Sequence, residues 1–302
     1  MRDDEVLRRL TSVRQFQQAG RRAPHKPLLI LLALGRIATT GSSRLDWTEV
    51  ERDLAQLVTE FGRPNGPQGA QAAAYPFTRL RADGVWTLSR DVSDDRLGDL
   101  REGPIHGQLD DSLERALRDD PALLQQAAVQ VTLGQFPATM AADILQAVGL
   151  DPENPAAGPG QPQSLATTNG ADRQRSAKWR TAILLAWDSS CAFCGYDGML
   201  GGSPVGLEAA HVRWFNFNGP NTPDNGLALC SLHHKLLDRG ALGFITPDTI
   251  AVSATFTARG PVARSIYDLH RQRLRPRPGT SMPANEHVHW HRNEVFRAPA
   301  LT

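Results

Sequence analysis

The sequence predicts an α+β chain of two domains, the first mainly helical and the second built round a cluster of cysteine and histidine. Three observations carry this reading. Helical periodicity dominates residues 3–149 and is relieved by only one short segment of strand character. Residues 151–170, DPENPAAGPGQPQSLATTNG, are rich in Pro, Gly, Asn and Gln with almost no bulky apolar side chain, the composition of a linker. All three cysteines of the 302-residue chain, Cys191, Cys194 and Cys230, fall within forty residues of one another. The expected division is a first domain at 1–150, a linker at 151–172 and a second domain at 173–302.

Residues 3–18 read as a first helix. The stretch PHKPLLILLALGRIA at 24–38 reads as a second, strongly apolar one, with Pro27 in its first turn. In LDWTEVERDLAQLVTEFG at 45–62, Leu54, Leu57, Val58 and Phe61 share one helical face. Gly62, Pro64, Asn65, Gly66 and Pro67 then break that helix. In YPFTRLRADGVWTLSR, from Tyr75, the expectation is an extended segment, an Asp83-Gly84 turn and a short strand, making a hairpin. Three helices followed by a hairpin is a winged-helix-like order. Helical stretches around 110–130 and 136–149 close the first domain, and a helix at 173–187 opens the second.

Composition narrows the function classes. With 40% hydrophobic and 22% charged residues the chain supports a packed core. MRDDEVLRRL at the start has no apolar core, and the longest apolar run, PLLILLALG at 27–35, is far too short to span a bilayer. A soluble, cytoplasmic protein without membrane contact is expected. Net charge is only +1, but it is unevenly spread. Residues 1–90 hold 14 Lys and Arg against 9 Asp and Glu, whereas residues 91–150 hold 4 against 11. A basic front with an acidic middle suggests localised anion binding.

An odd cysteine count without a secretory signal argues for metal or catalysis over disulfides. Cys191-x₂-Cys194 and Cys230-x₂-His233 are two knuckles offering three thiolates and one imidazole, the ligand set of a closed, structural Zn²⁺ site. His211, Asn225 and His234 are left over from that set. His287, His289 and His291 alternate in EHVHWHR, and packing of Trp290 explains that segment better than a metal strip.

The run LEAAHVRW…NGPNTPDNGLALCSLHHKLLDRGALGF resembles an HNH nuclease, the ββα-metal site, in its zinc-knuckle form. The spacing of His211, Asn225 and His234 relative to the second knuckle carries the likeness. The resemblance implies that His211 is the general base that takes a proton from water. It implies that Asn225 orients the base and braces the loop, and that His234 holds a catalytic divalent metal. A phosphodiester needs an activated water and a cation on the phosphoryl charge, and an imidazole of pKa about 6.5 is a competent base at neutral pH. The sequence departs from the family where a second metal ligand often precedes the first His. Here that position is Ala210, so the metal must rest on His234 with waters and phosphate oxygens or recruit another group. Glu208 and Asp238 are the nearest carboxylates in sequence. A hard, water-rich ion, Mg²⁺ or Mn²⁺, suits such a site.

In the first domain, RRAPHKPLLILLALGRI at 21–37 and AYPFTRLRADGVWTL at 74–88 resemble the sulfur-binding domain, which that family joins to an HNH nuclease to restrict phosphorothioated DNA. The resemblance implies double-stranded DNA carrying a phosphorothioate backbone as the partner. Sulfur is larger and more weakly hydrated than oxygen, so a selective pocket is apolar at the sulfur and cationic round the remaining charge. His25, Tyr75 and Pro76 are implied to line the pocket. Lys26, Arg79 and Arg81 would supply phosphate contacts, with Arg79 or Arg81 reading a neighbouring base edge. Cutting both strands with one site per chain suggests a homodimer. The alternatives are an HNH nuclease reading another modification such as a methylated base, and a non-cleaving, zinc-stapled DNA sensor.

Overall fold

The structure, a computed structural model, describes residues 1–14, 20–64, 66–94, 96–152 and 170–302, with 170–177 by backbone alone. Most of the expected linker, and residues 15–18 of the expected first helix, lie outside the described residues. The chain divides into two compact units, Met1–Thr167 and Thr168–Thr302, and mixes helices with small antiparallel sheets as the α+β expectation had it. Among the described residues no helix is long and apolar enough to cross a membrane.

Unit 1 is organised round α2 (His25–Thr40). Leu28 through Leu31, Ala33 and Leu34 are fully buried, so this helix is apolar nearly all round and belongs inside the unit. It packs against α3 (Trp47–Phe61), α4 (Gly69–Arg79) and α7 (Pro121–Leu133), and α1 (Asp3–Thr11) also lies on α7. Helix α2 stops at Gly41, whose φ of 76° needs a residue without Cβ and whose N–H reaches Ile37 O at 2.8 Å. Strands β1 (Leu45–Asp46), β2 (Trp86–Leu88) and β3 (His106–Leu109) pair antiparallel in the order β1-β3-β2. A helix, a strand, two helices and two strands, with the last strand central, is the winged-helix arrangement. Position 107 in that central strand must be Gly, because the Trp86 indole lies 2.4 Å from where a Cβ would sit.

Four expectations need correction. The opening helix stops at Thr11, and residues 12–14 lie outside it. Residues 75–79 are not extended but form the last turns of α4, with Pro76 inside the helix. Three consecutive alanines, Ala72 to Ala74, favour the helix, and burying Phe77 between Trp47 and Trp86 (centroids 5.2 and 6.1 Å) offsets the proline's cost of about 3 kcal/mol. The hairpin is not closed at Asp83-Gly84 either. Gly84 does turn the chain, at φ 69°, but β2 pairs with β3 across residues 89–105, which include α5 (Leu97–Arg101). The stretch expected near 110–130 is two helices, α6 (Asp111–Asp119) and α7, parted where Asp120 caps the amides of Ala122 and Leu123 and Pro121 takes the first turn. Helix α8 (Ala138–Ala147) follows.

Unit 2 begins with α9 (Gly170–Ala186), whose Trp179 and Ile183 pack on a hairpin of β6 (Leu207–His211) and β7 (Gly226–Cys230). A small ribbon, β4 (Met199–Leu200) with β5 (Ser203–Pro204), precedes them. Register runs from Leu207↔Cys230 to His211↔Gly226, and α10 (Ser231–Asp238) follows directly, completing a ββα unit. Hairpin β8 (Leu242–Thr246) with β9 (Thr249–Val252), α11 (Pro261–Tyr267) and α12 (Asn285–Glu294) complete the core. The EHVHWHR segment is the helix α12, with Trp290 buried edge-on to Trp214 at 5.7 Å, so packing explains it.

Gly35 on α2 tests the packing of unit 1. A Cβ there would lie 1.8 Å from Val148 O at the end of α8, and a backbone oxygen cannot swing aside. Helix propensity alone would have Gly35→Ala stabilise by up to about 1 kcal/mol. The expected outcome is the reverse, a loss of about 1–3 kcal/mol from overpacking, read from chemical denaturation of the wild type and variant. Unchanged or raised stability would contradict this contact.

Candidate functional site

The knuckles come together first. Cys191 and Cys194 lie on the tight turn after α9, closed by Gly195 N donating to Cys191 O at 2.8 Å with Gly195 at φ 78°. Cys230 ends β7 and caps α10, so His233 stands in the first turn of that helix. The ligand atoms of the four residues all lie within 4.8 Å of one another, with His233 Nδ1 3.4 Å from Cys191 Sγ and 3.2 Å from Cys230 Sγ. Hydrogen bonds from its neighbours Cys194 and Cys230 drive the Cys191 thiol well below its usual range. Three soft thiols and one imidazole converging on one point fit Zn²⁺, and they leave no position open for substrate.

The same hairpin and helix place the other three residues. His211 closes β6, Asn225 enters β7, and His234 follows His233 on α10. The His211 ring stacks on Trp179, centroids 3.9 Å apart and planes 15° apart, and its Nε2 donates to Asn221 Oδ1 at 2.8 Å. Burial holds its pKa down to about 4, opposed by the Asn221 bond and assisted by the charges of His234 and His287. Asn225 is fully buried, and its side chain reaches backbone. Its Oδ1 accepts from Arg213 N at 2.8 Å, and its Nδ2 donates to Arg213 O and Pro220 O, both at 3.0 Å.

His234 is flanked by carboxylates. Its Nδ1 donates to Glu208 Oε2 at 2.6 Å, and its Nε2 stands 3.3 Å from Asp238 Oδ2, one helical turn on. Asp238 is almost wholly buried, and its other oxygen accepts from Trp214 Nε1 at 2.9 Å. Burial alone would push the His234 imidazole down, but Asp238 and Glu208 outweigh it and the net shift is upward. Ala210, where a further ligand would stand, is a fully buried strand residue. The two carboxylates nearest in sequence are also the two nearest His234 in space.

In unit 1, His25 begins α2, half-buried, with Nε2 sealed from solvent and without a hydrogen-bond partner among the described residues. Burial lowers its pKa. Lys26 Nζ donates to Asp83 Oδ2 at 2.5 Å, an acid whose side chain is 4% exposed, so its charge is already paired inside the unit. Tyr75, Pro76 and Arg79 lie on the last turns of α4. Arg79 is exposed, with its guanidinium carbon 5.3 Å from the Tyr75 ring centroid, one turn away. Arg81 is committed within the unit. It donates to Asp91 and Asp94 at 2.9 and 2.8 Å and to the carbonyls of Thr78 and Val92.

Residues 3–153, half of the chain, match the model of the ScoMcrA-like DNA sulfur-binding domain. The chain belongs to that family. Residues 191–245, from the first knuckle to the end of β8, match the HNH endonuclease model, so the sulfur-binding domain is followed by an HNH domain in one chain. Among solved structures, the sulfur-binding domain and SRA domain of ScoMcrA complexed with phosphorothioated DNA is similar at 21% identity and a TM-score of 0.44, covering 54% of this chain and 51% of that one. This chain therefore matches about half the length of that structure. The sulfur-binding domain of ScoMcrA with phosphorothioated DNA is 24% identical, with a TM-score of 0.41, over 47% of this chain and 97% of that one. The type IV phosphorothioation-dependent restriction endonuclease ScoMcrA is 15% identical, with a TM-score of 0.39, over 88% of this chain and 97% of that one. No curated protein sequence matches the chain.

Sequence reasoning missed Trp179, Trp214 and Asn221 at the HNH site. Trp214 ends the LEAAHVRW run, but neither it nor Trp179 was given a role at the site. Asn221 stands with Asn218 and Asn225 in one asparagine-rich loop, and nothing in that run told which carboxamide meets the imidazole.

The knuckle generates a direct test. Cys194→Ala is expected to release Zn²⁺ and unfold unit 2, because metal binding and folding share one free energy in a small closed site. Metal analysis and circular dichroism read both effects. A folded, zinc-free wild-type protein would contradict the assignment.

Proposed function

We propose that this protein is a modification-dependent restriction endonuclease that binds phosphorothioated DNA through unit 1 and hydrolyses phosphodiester bonds nearby with unit 2. The single observation behind the chemistry is the pairing of a buried imidazole, His211, with an imidazole held between two carboxylates, His234, on one ββα unit. The family match of unit 1 supports the choice of target.

In this reading His211 is the general base. Its low pKa keeps the ring neutral, and Nδ1, which accepts no hydrogen bond among the described residues and is not sealed from solvent, takes the proton of the attacking water. The water oxygen attacks phosphorus, and the bond from phosphorus to the leaving oxygen breaks. His234 Nε2 and Asp238 Oδ2 present an imidazole and a carboxylate to the same gap, a donor set that suits a divalent cation such as Mg²⁺ or Mn²⁺. Glu208 fixes the His234 tautomer from the other side of the ring. The bound cation would supply a positive charge for the phosphoryl oxygens and the leaving oxygen.

For sulfur, Tyr75 and Pro76 provide an apolar wall on α4, and His25 joins them as a neutral ring. Arg79 carries positive charge beside Tyr75, suited to a phosphate, whereas Arg81 acts within the unit by bracing residues 91–94. Lys26, paired with Asp83, reaches DNA only by exchanging that partner. Cleaving both strands with one such site per chain calls for a homodimer or two successive events, in the cytoplasm where the DNA lies.

The deciding experiment offers the full chain matched duplexes, phosphorothioated and oxygen-only, with Mg²⁺ or Mn²⁺. Cleavage confined to the modified duplex is expected, and equal treatment of the two would remove the sulfur reading. Tyr75→Ala should cost about 1–3 kcal/mol of binding preference between the duplexes. That preference should persist as salt rises, because the phosphate contacts common to both duplexes weaken together.

His211 sets the pH dependence. A base is active when unprotonated, so cleavage should hold its rate through pH 6 and fall only toward about pH 4. The linked effect on stability has the same sign. The depressed pKa contributes stability above the unfolded value of about 6.5, and this is lost as pH falls through about 4. His211→Ala should abolish cleavage while leaving duplex affinity and zinc content near wild type. An acidic limb centred at the ordinary imidazole pKa would show that His211 is not the base.

A further inference from the structure

The carboxamide that meets His211 is not that of Asn225. Asn225 spends its side chain on the backbone of Arg213 and Pro220, the two ends of a turn, and so closes the loop over residues 213–220. The residues that touch the imidazole are carried just beyond that turn. Asn221 Oδ1 accepts from His211 Nε2 at 2.8 Å, and the carbonyl of the next residue, Thr222, accepts from Trp179 Nε1 at 3.0 Å. Trp179 is the ring on which His211 stacks. Two adjacent residues of one loop therefore fix both the edge and the face of the imidazole.

We propose that Asn221 is the positioning residue for the base, selecting the Nε2–H tautomer of His211 so that Nδ1 is the nitrogen that accepts the proton. The inference rests on the nuclease reading of unit 2. A neutral imidazole has one N–H and two tautomers of comparable energy, so a fixed acceptor at one nitrogen decides which lone pair remains. A flip of the ring would put Cε1 where Nε2 stands and lose the Asn221 bond, and stacking at 3.9 Å on an indole that is itself hydrogen-bonded opposes that rotation.

The orienting group is neutral, which has a chemical consequence. A carboxylate in its place would stabilise the imidazolium and draw the base's pKa upward. Round His211 stand Asn221 and Phe215 from the loop and Trp179 from α9, with His234 on α10 and His287 on α12 as the titrating neighbours. No carboxylate bonds to it among the described residues. Asn221 thus fixes direction while leaving the ring unprotonated, and Asn225 acts one step back by holding the loop.

The test uses the full chain with Asn221→Ala and the near-isosteric Asn221→Asp. Single-turnover cleavage of the phosphorothioated duplex is followed from about pH 5 to 9, and the His211 ring nitrogens are observed by ¹⁵N NMR without DNA. Asn221→Ala is expected to slow cleavage about 10- to 100-fold at unchanged duplex affinity, and to replace a single tautomer with a mixture. Asn221→Asp should recover the rate at high pH, with the acidic limb moved up by about one unit or more. An alanine variant that cleaves within twofold of wild type and keeps one tautomer would overturn the proposal, as would an aspartate variant with an unmoved limb. A wild-type protein that cleaves neither duplex would remove the nuclease reading alone, and the tautomer measurement would still decide the Asn221 contact.

Discussion

The buried carboxamide of Asn225 is the interaction on which the HNH site depends. It bonds both ends of the turn between β6 and β7, and it does so entirely through backbone groups. A fully buried amide with three hydrogen bonds is expensive to disturb, because each partner left behind is itself an unsatisfied polar group in a dry place. Holding Arg213 and Pro220 together sets where Asn221 and Thr222 stand, and those two residues set the plane and edge of His211. One side chain with no contact to the imidazole thus governs the group proposed as the base.

The zinc knuckle performs the matching task on the other side of the hairpin. It binds the turn after α9 to the junction of β7 and α10, so His234 sits on a helix whose first turn is anchored by Cys230 and His233. His234 then takes its orientation from Glu208 on β6 and Asp238 on its own helix. Strand, knuckle and helix are thereby coupled at one imidazole. In the proposed chemistry, position 210 then need not carry a ligand. The strand still contributes a carboxylate, two residues earlier, on a side chain long enough to reach α10. Buried charge is tolerated there only because every member has a partner, Asp238 included through Trp214.

What was legible in the sequence followed from short-range geometry. The spacing within each Cys/His knuckle and the placing of His234 beside the second one are properties of a turn and a helix start, which sequence separation fixes. The apolar helix over 24–38 could be seen because it is buried on every side. The failures are of the opposite kind. Residues 75–79 read as extended in the sequence, and the distant partners Trp47 and Trp86 of Phe77 help the helix prevail. The strand at 86–88 was expected to pair with the segment before the Asp83-Gly84 turn, but its partner is β3, beyond residue 105. Arg81 looked available for a base edge until Asp91 and Asp94, ten and thirteen residues on, were found on its guanidinium. Helices and local ligand sets are written in spacing, whereas ion pairs and strand partners depend on the closed fold.

Both units use the same physical device for different ends. His25 and His211 are each buried enough that desolvation lowers the imidazole pKa, so each ring is neutral where an exposed histidine would be partly charged. In the proposed chemistry of unit 2, neutrality leaves a lone pair to take a proton. In the proposed recognition by unit 1, neutrality matters because a cationic donor at the pocket would favour the better acceptor, oxygen, over sulfur. In that proposal a ring without charge, together with an aromatic and a proline that has no N–H to offer, would give a non-bridging oxygen nothing to gain. Positive charge is kept one turn away on Arg79, which in that proposal would meet a phosphate irrespective of the substituted atom. Selectivity for sulfur would then come from what the proposed pocket withholds, and affinity from charge placed outside it.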